Sequence, residues 1–136
     1  MNKRHKSAGV LVECNGEYLL GHATGMGKCY SIPKGKVEDG EEEVEAALRE
    51  LREETNISLT KAHLEDKEPF RYTSRGGKKM VVYHAKLPTK PTNISCSTLI
   101  EGSDKKEFDS FHWVTQEGAL ELLNNHMASI FVSLPL

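Results

Sequence analysis

The stretch Gly35-Lys36-Val37-Glu38-Asp39-Gly40-Glu41-Glu42-Glu43-Val44-Glu45-Ala46-Ala47-Leu48-Arg49-Glu50-Leu51-Arg52-Glu53-Glu54-Thr55-Asn56-Ile57 decides how this chain is read. Its first part, from Lys34 to Gly40, holds two glycines and is expected to be a loop. From Glu41 to Thr55 the apolar residues Val44, Ala47, Leu48 and Leu51 recur at helical spacing, which predicts an amphipathic helix. Acidic residues crowd its first turn, where the helix dipole favours them, and Asn56 suits a left-handed cap at its end. Glu50, Glu53 and Glu54 stand at i, i+3 and i+4 and share one face. The apolar stripe, centred on Leu48 and Leu51, is expected well around the helix from them. The helix can then dock on a sheet and present three carboxylates sideways. Three carboxylates so close repel one another, and Asn56 and Ser58 offer no cationic relief. A hard divalent cation would relieve them, because magnesium and manganese prefer carboxylate and water oxygens. The plain alternative is a solvated acidic helix face. Pro33-Lys34-Gly35-Lys36 weighs against it by bringing turn-forming backbone and two cations to the start of the same unit. A phosphate ester needs both parts, cations to polarise its oxygens and donors to position them.

Working outward, Ser7 to Glu13 reads as a strand, Asn15-Gly16 as a tight hairpin turn and Glu17 to Gly21 as the return strand. Residues 22–29 look like a loop, and Tyr30 to Ile32 is a short extended piece closed by Pro33. Downstream, Phe70 to Thr73 and Lys79 to Leu87 look like two strands around the turn Ser74-Arg75-Gly76-Gly77-Lys78. Pro88 to Asp104 is polar and irregular. Phe108 to Val114 alternates like a strand, Gln116 to Asn124 reads as a second helix, and Ile130 to Leu136 is apolar and expected to pack on the body. Strands outnumber helices, so the expected class is α+β in one domain spanning residues 1–136.

The bulk properties exclude several functions. A chain of 136 residues with 38% hydrophobic and 28% charged residues has the composition of a globular domain. A net charge of −2 argues against coating nucleic acid through bulk charge. Cys14, Cys29 and Cys96 show no zinc or redox spacing, which points to reduced thiols and a cytoplasmic location. No segment has the run of about 18 apolar residues that a membrane span needs, so no membrane partner is expected.

At this point the resemblance to a known family is specific. Gly35, Glu41, Arg49, Glu50, Leu51, Glu53, Glu54 and Ile57 match the Nudix box in order and spacing, filling eight of its nine defined positions. The ninth, the second glycine of the box, is Asn56 here, which tolerates the left-handed backbone better than most residues. The chain therefore resembles a Nudix hydrolase, and the resemblance implies an α/β/α sandwich with a mixed β-sheet and the box helix packed against it. It implies one to three Mg²⁺ (or Mn²⁺) ions held by Glu50, Glu53 and Glu54 with the Gly35 carbonyl. Glu53 or Glu50 could instead deprotonate the attacking water. Arg49 would hold the glutamates in place, with Glu41 as its partner on the loop. Family members often recruit a further carboxylate from outside the box. The candidates are Glu101, Asp104 and Glu107, with Glu107 favoured because it lies six residues before Trp113.

The reaction implied is metal-assisted attack of water on a pyrophosphate within a nucleoside diphosphate linked to another moiety. Substrate hints come from the flanks. The segment Tyr30 to Lys36 resembles the entry to the box in enzymes acting on dinucleoside polyphosphates, capped RNA 5′ ends or inositol pyrophosphates. Tyr72, sixteen residues beyond Asn56, and Lys79 to Ala85 resemble the diadenosine tetraphosphate hydrolase group. There a lysine reaches phosphate and a tyrosine stacks on a base. Lys34, Lys36, Tyr72, Lys79 and Tyr83 are thus the substrate-binding candidates, with Arg71 and Arg75 adding charge to a basic wall. Tyr83 as a core residue, and Lys78 and Lys79 as a solvated hairpin end, are the plain alternatives. His22, His84 and His112 lack metal spacing and are read as structural. The first substrate expected is diadenosine tetraphosphate. A nucleoside triphosphate or an RNA 5′ end is the alternative, and a non-catalytic nucleotide sensor on the same scaffold is the alternative of another class.

Overall fold

The protein is described from a computed structural model over residues 6–74 and 76–132. Arg75 and residues 133–136, for which a basic contribution and a packed terminus were expected, lie outside the described residues.

The first strand, β1 (Lys6–Cys14), turns through Asn15 and Gly16 into β2 (Glu17–Ala23). Both turn residues have positive φ, 52° and 81°, which is what a two-residue hairpin with the right-handed strand twist requires. β3 (Tyr30–Ser31) pairs with residues 21–22 of β2, on the same edge that β1 meets at residues 17–18. β4 (Lys34–Lys36) follows at once, where a loop was expected. It pairs antiparallel with β1, with Ser7 opposite Lys36 and Gly9 opposite Lys34. A lysine-glycine-lysine triplet has little strand propensity, so only this tertiary pairing makes it a strand.

The helix α1 (Glu43–Thr55) starts two residues later than the pattern suggested. Glu42 caps it in a reciprocal box with Glu45, whose carboxylate accepts from the Glu42 N–H at 3.2 Å. Asn56 ends it at φ 65°, as the sequence required, and donates its N–H to the Arg52 carbonyl at 2.8 Å. β5 (Phe70–Thr73) and β6 (Lys79–Lys86) form the second hairpin, and β7 (Phe108–Val114) pairs with β2. The last helix is shorter than expected. It breaks into α2 (Gln116–Leu122) and α3 (Asn125–Ala128), capped by the side chains of Thr115 and Asn124, before a 3-10 turn over Ser129–Val132. Ile130 and Phe131 are buried there, so the described part of the apolar end packs on the body.

These strands make one mixed, open sheet in the order β3-β2-β1-β6-β5. β1 runs parallel to β6 from Lys6–Lys79 to Glu13–Lys86, while the other pairings are antiparallel. The opposite edge of β1 is shared: β4 takes residues 7–9 and β2 takes residues 13–14. Side chains alternate across the pleat and build two cores. Ala8, Val10, Val12, Leu19, Val81 and Ala85 face Ala46, Ala47 and Leu51 of α1. On the other face Leu11, Tyr18, Leu20 and Val82 meet Ala119, Leu123, Met127 and Phe131. The fold is therefore α+β, with helices on both faces of the sheet.

One expectation about α1 is corrected. Its buried residues are Ala46, Ala47, Glu50, Leu51, Glu54 and Thr55, whereas Val44 and Leu48 are only half-buried. Seven residues at 3.6 per turn bring Glu54 to within roughly 20° of Ala47 around the helix axis. Two of the three glutamates thus lie in the face that docks on the sheet, not well around from it. Residues 88–104 are irregular, as expected, but they fold back onto the end of α1. The N–H groups of Ser95 and Ser97 donate to the Thr55 and Glu53 carbonyls at 3.0 and 2.8 Å, and Ser97 Oγ donates to the same Glu53 carbonyl at 2.7 Å.

Candidate active site

The pairing of β4 with β1 sets Gly35 directly under α1. A Cβ at Gly35 would lie 2.1–2.3 Å from the Glu50 carboxyl group, so any larger residue there would push that carboxyl aside. This close approach buries Glu50, which is 9% exposed, and Glu54, which is 3% exposed.

Arg49 ties the acids together. Its Nε and Nη2 donate to the two oxygens of Glu41 at 2.8 and 3.0 Å, and Nη2 also donates to the Lys36 carbonyl at 2.9 Å. Nη1 donates to Glu50 Oε2 at 2.9 Å and to Glu53 Oε1 at 3.2 Å. One planar guanidinium thereby fixes two helix carboxylates relative to the loop before the helix. Its bond holds the Glu41 carboxyl below the usual range, and Glu41 in turn raises the affinity of Arg49 for its proton. The sequence pairing of Arg49 with Glu41 is present in the fold.

Glu54 turns the other way, its Oε1 accepting the Lys34 N–H at 3.0 Å. Burial pushes the Glu54 carboxyl up strongly, and the charges of Glu50 and Glu107 push it the same way. Burial also raises Glu50, against the pull of Arg49, with Glu53 and Glu107 adding repulsion. The Lys34 ammonium is lowered by burial, opposed by the attraction of Glu54 and Glu107. Desolvation therefore outweighs pairing at all three groups, so burial disfavours the charged form of each.

Among the described residues no three carboxylate, imidazole or thiol groups stand arranged as a cage for a metal ion. The reason is visible in the bonds: Arg49 occupies Glu50 and Glu53, while the Lys34 amide occupies Glu54. The chemistry nonetheless fits a hard divalent cation. The donors are all oxygens, and the two buried carboxyls carry the repulsion that a cation removes.

A cleft of about 400 Å³ opens beside these groups, lined by Lys34, Glu54, Glu101 and Glu107 together with Met26 and Ile100. Two of the three loop acids singled out in the sequence, Glu101 and Glu107, are thus brought to Glu54. Asp104 lies instead in a neighbouring groove with Phe111 and Trp113. The loop of residues 24–29 supplies Thr24, Met26 and Cys29 to the cleft wall, which sequence reasoning missed. The one signal was an exposed methionine between two glycines, Gly25 and Gly27.

The remaining candidates scatter. The Lys36 side chain is exposed, and its carbonyl serves Arg49. Tyr72 packs beside Phe70 on the face away from α1, while Tyr83 packs against the α1 core on the other face. The structure does not bring the two tyrosines together, because they stand on opposite sides of the sheet. Lys79 is exposed near Tyr72 and Arg71, but Arg71 is held by Glu43 at 2.9 and 3.1 Å, which reduces the basic wall. The three histidines have structural partners: His22 with Asp109 and His84 with Glu13, both at 2.7 Å, and His112 with Ser110 at 3.0 Å.

The NUDIX domain family model matches residues 3–134. An asymmetrical bis(5′-nucleosyl)-tetraphosphatase of Caenorhabditis elegans is 30% identical over 108 residues, covering 78% of this chain and 72% of that protein. The enzyme of the same name from Mus musculus is also 30% identical over 108 residues, 78% of this chain and 69% of that protein. Among solved structures, a C. elegans Ap4A hydrolase binary complex superposes with a TM-score of 0.75 at 26% identity, covering 93% of each chain. A MutT protein from Methanosarcina mazei Go1 gives a TM-score of 0.69 at 20% identity over 97% of this chain and 94% of that one, a likeness of fold alone.

Proposed function

The chain belongs to the NUDIX domain family and is a Nudix pyrophosphohydrolase, and on that premise we propose that its substrate is a dinucleoside polyphosphate, diadenosine tetraphosphate first. The observation that carries the proposal is the 30% identity over 108 residues to asymmetrical tetraphosphatases of that class. The buried acid cluster beside Lys34 supports the chemistry.

Nudix hydrolases work with divalent metal ions. In this chain Glu50, Glu53 and Glu54, with the Gly35 carbonyl, would hold one to three Mg²⁺ or Mn²⁺ ions. When bound, such ions polarise phosphoryl oxygens and acidify water. Arg49 orients Glu50 and Glu53 by the bonds it already makes. Glu53, with one oxygen free of Arg49, accepts a proton from the attacking water. The water oxygen bonds to phosphorus, the bridging P–O bond breaks, and the leaving phosphate carries away that electron pair. Lys34, which lines the cleft, would hold the polyphosphate chain, with Lys36 and Lys79 as outlying cations and Tyr72 or Tyr83 as candidate base contacts. Glu107, beside Glu54 in the cleft, is the further carboxylate. Among the described residues no helix is long and apolar enough to cross a membrane. The unpaired cysteines suit a cytoplasmic site of action.

Chromatography of products after incubation in magnesium tests the substrate. Diadenosine tetraphosphate should yield ATP plus AMP. If it survives while nucleoside triphosphates give monophosphate and pyrophosphate, or RNA 5′ ends are trimmed, the substrate reading is lost. Glu53→Gln should lower kcat by about 10²–10⁴ with the melting temperature nearly unchanged. Undiminished turnover in that variant would remove Glu53 from the chemistry.

A further inference from the structure

Met26 and Ile100 line the carboxylate cleft and stay exposed to solvent. Met26 is 62% exposed and Ile100 is 37% exposed, yet both line the cleft that holds Lys34, Glu54 and Glu107. They come from separate loops, each fixed by its own turn. The Met26 N–H donates to the Ala23 carbonyl at 3.2 Å and its carbonyl accepts from Cys29 at 3.1 Å. The Ile100 N–H donates to the Lys105 carbonyl at 2.8 Å and its carbonyl accepts from Ser103 at 3.0 Å. The loops are joined where the Thr24 N–H donates to the Glu107 carbonyl at 3.0 Å. Ile32 and Phe108, both buried, add apolar surface to the same cleft. The backbone at each of the two residues is thus fixed by hydrogen bonds within its own loop.

One cleft therefore combines a charged lining with an apolar one. A matching ligand carries a polyanionic chain joined to a flat, weakly polar body. We infer that Met26 and Ile100 clamp one nucleobase of the substrate while Lys34 meets the polyphosphate. This rests on the dinucleoside polyphosphate reading of the site. A thioether and a branched alkyl group pack on any aromatic face and read no hydrogen-bond pattern. The clamp therefore selects for the presence of a base and not for its identity.

Cys29 supplies a readout independent of turnover. It is exposed in the same cleft, whereas Cys14 and Cys96 are buried. Its alkylation by iodoacetamide, followed by mass spectrometry, should slow when the cleft is filled. The probes are a methylene-bridged diadenosine tetraphosphate, which resists cleavage, and inorganic tripolyphosphate, both in magnesium. In the Met26→Ala, Ile100→Ala double variant, the concentration of dinucleotide giving half protection should rise about tenfold. The concentration of tripolyphosphate giving half protection should stay the same, which also shows that the cleft remains folded. Equal shifts for both probes, no shift for either, or no protection by the dinucleotide in the wild type would overturn the clamp. Hydrolysis of unmodified diadenosine tetraphosphate by the wild type is scored separately. Protection without hydrolysis removes the substrate reading and leaves the clamp standing; hydrolysis with an unshifted double variant does the reverse.

Discussion

Arg49 is the residue on which the acid cluster is oriented, and its geometry makes a sharp prediction. Its guanidinium reaches Glu41, Glu50, Glu53 and the Lys36 carbonyl from one plane. Lysine keeps the charge but cannot hold that fork. Arg49→Lys should lose about 2–4 kcal/mol of stability in a denaturant titration, because buried Glu50 loses its partner. It should also lose most of its turnover. A variant within about 0.5 kcal/mol of wild type would show that the carboxylates organise themselves. His84 makes a second prediction at this scale. Burial lowers its affinity for a proton, against the Glu13 bond, and its buried Nδ1 has no hydrogen-bond partner among the described residues. The unfolded chain takes up that proton near its ordinary value of 6.5, and the folded chain only at lower pH. Stability from the neutral ring is therefore complete above pH 6.5 and declines as the pH falls from there toward the depressed folded value. Melting temperatures between pH 7.5 and 5 should follow that slope, and His84→Asn should flatten it.

Among the elements, α1 was the most legible in sequence and also the one whose burial was misread. Its Asn56 cap and the spacing of its glutamates follow from local rules that a sequence displays. Which face docks is set by what it meets, and Gly35 lets the sheet approach closely enough to bury Glu50 and Glu54. No periodicity shows that, because the charged residues look like a solvent face until the strand beneath them is known. β4 was missed for the same reason, since a three-residue strand is made by its neighbour. The docking of residues 95–97 on the end of α1 was likewise invisible, being a contact between segments 44 residues apart for Ser97 and Glu53. Ser97→Ala removes the hydroxyl bond to the Glu53 carbonyl and should cost about 1 kcal/mol. Because that carbonyl belongs to a site residue, the loss should also raise the magnesium concentration needed for half-maximal rate. A stability change with no change in magnesium dependence would limit Ser97 to a structural role.

At the scale of the whole molecule, the family and the reaction class were readable because they sit in one contiguous segment. The substrate was not, because the cleft proposed to hold it is lined by loops some 75 residues apart, near Met26 and Ile100. The hairpin that seemed to offer two tyrosines offers them on opposite faces of one sheet.

The placement of Glu50, Glu53 and Glu54 near the C-terminal end of α1 has one more consequence. A helix carries partial negative charge at that end, so it disfavours anions there. The last turns hold three carboxylates, one of them almost fully buried. The metal-free fold is thus less stable than the same scaffold without its acids, in the manner of a trade-off between function and robustness. Glu54→Gln keeps an acceptor for the Lys34 amide and removes a carboxyl whose ionisation burial opposes. In chelator it should melt several degrees above the wild type, and in saturating magnesium that ranking should reverse.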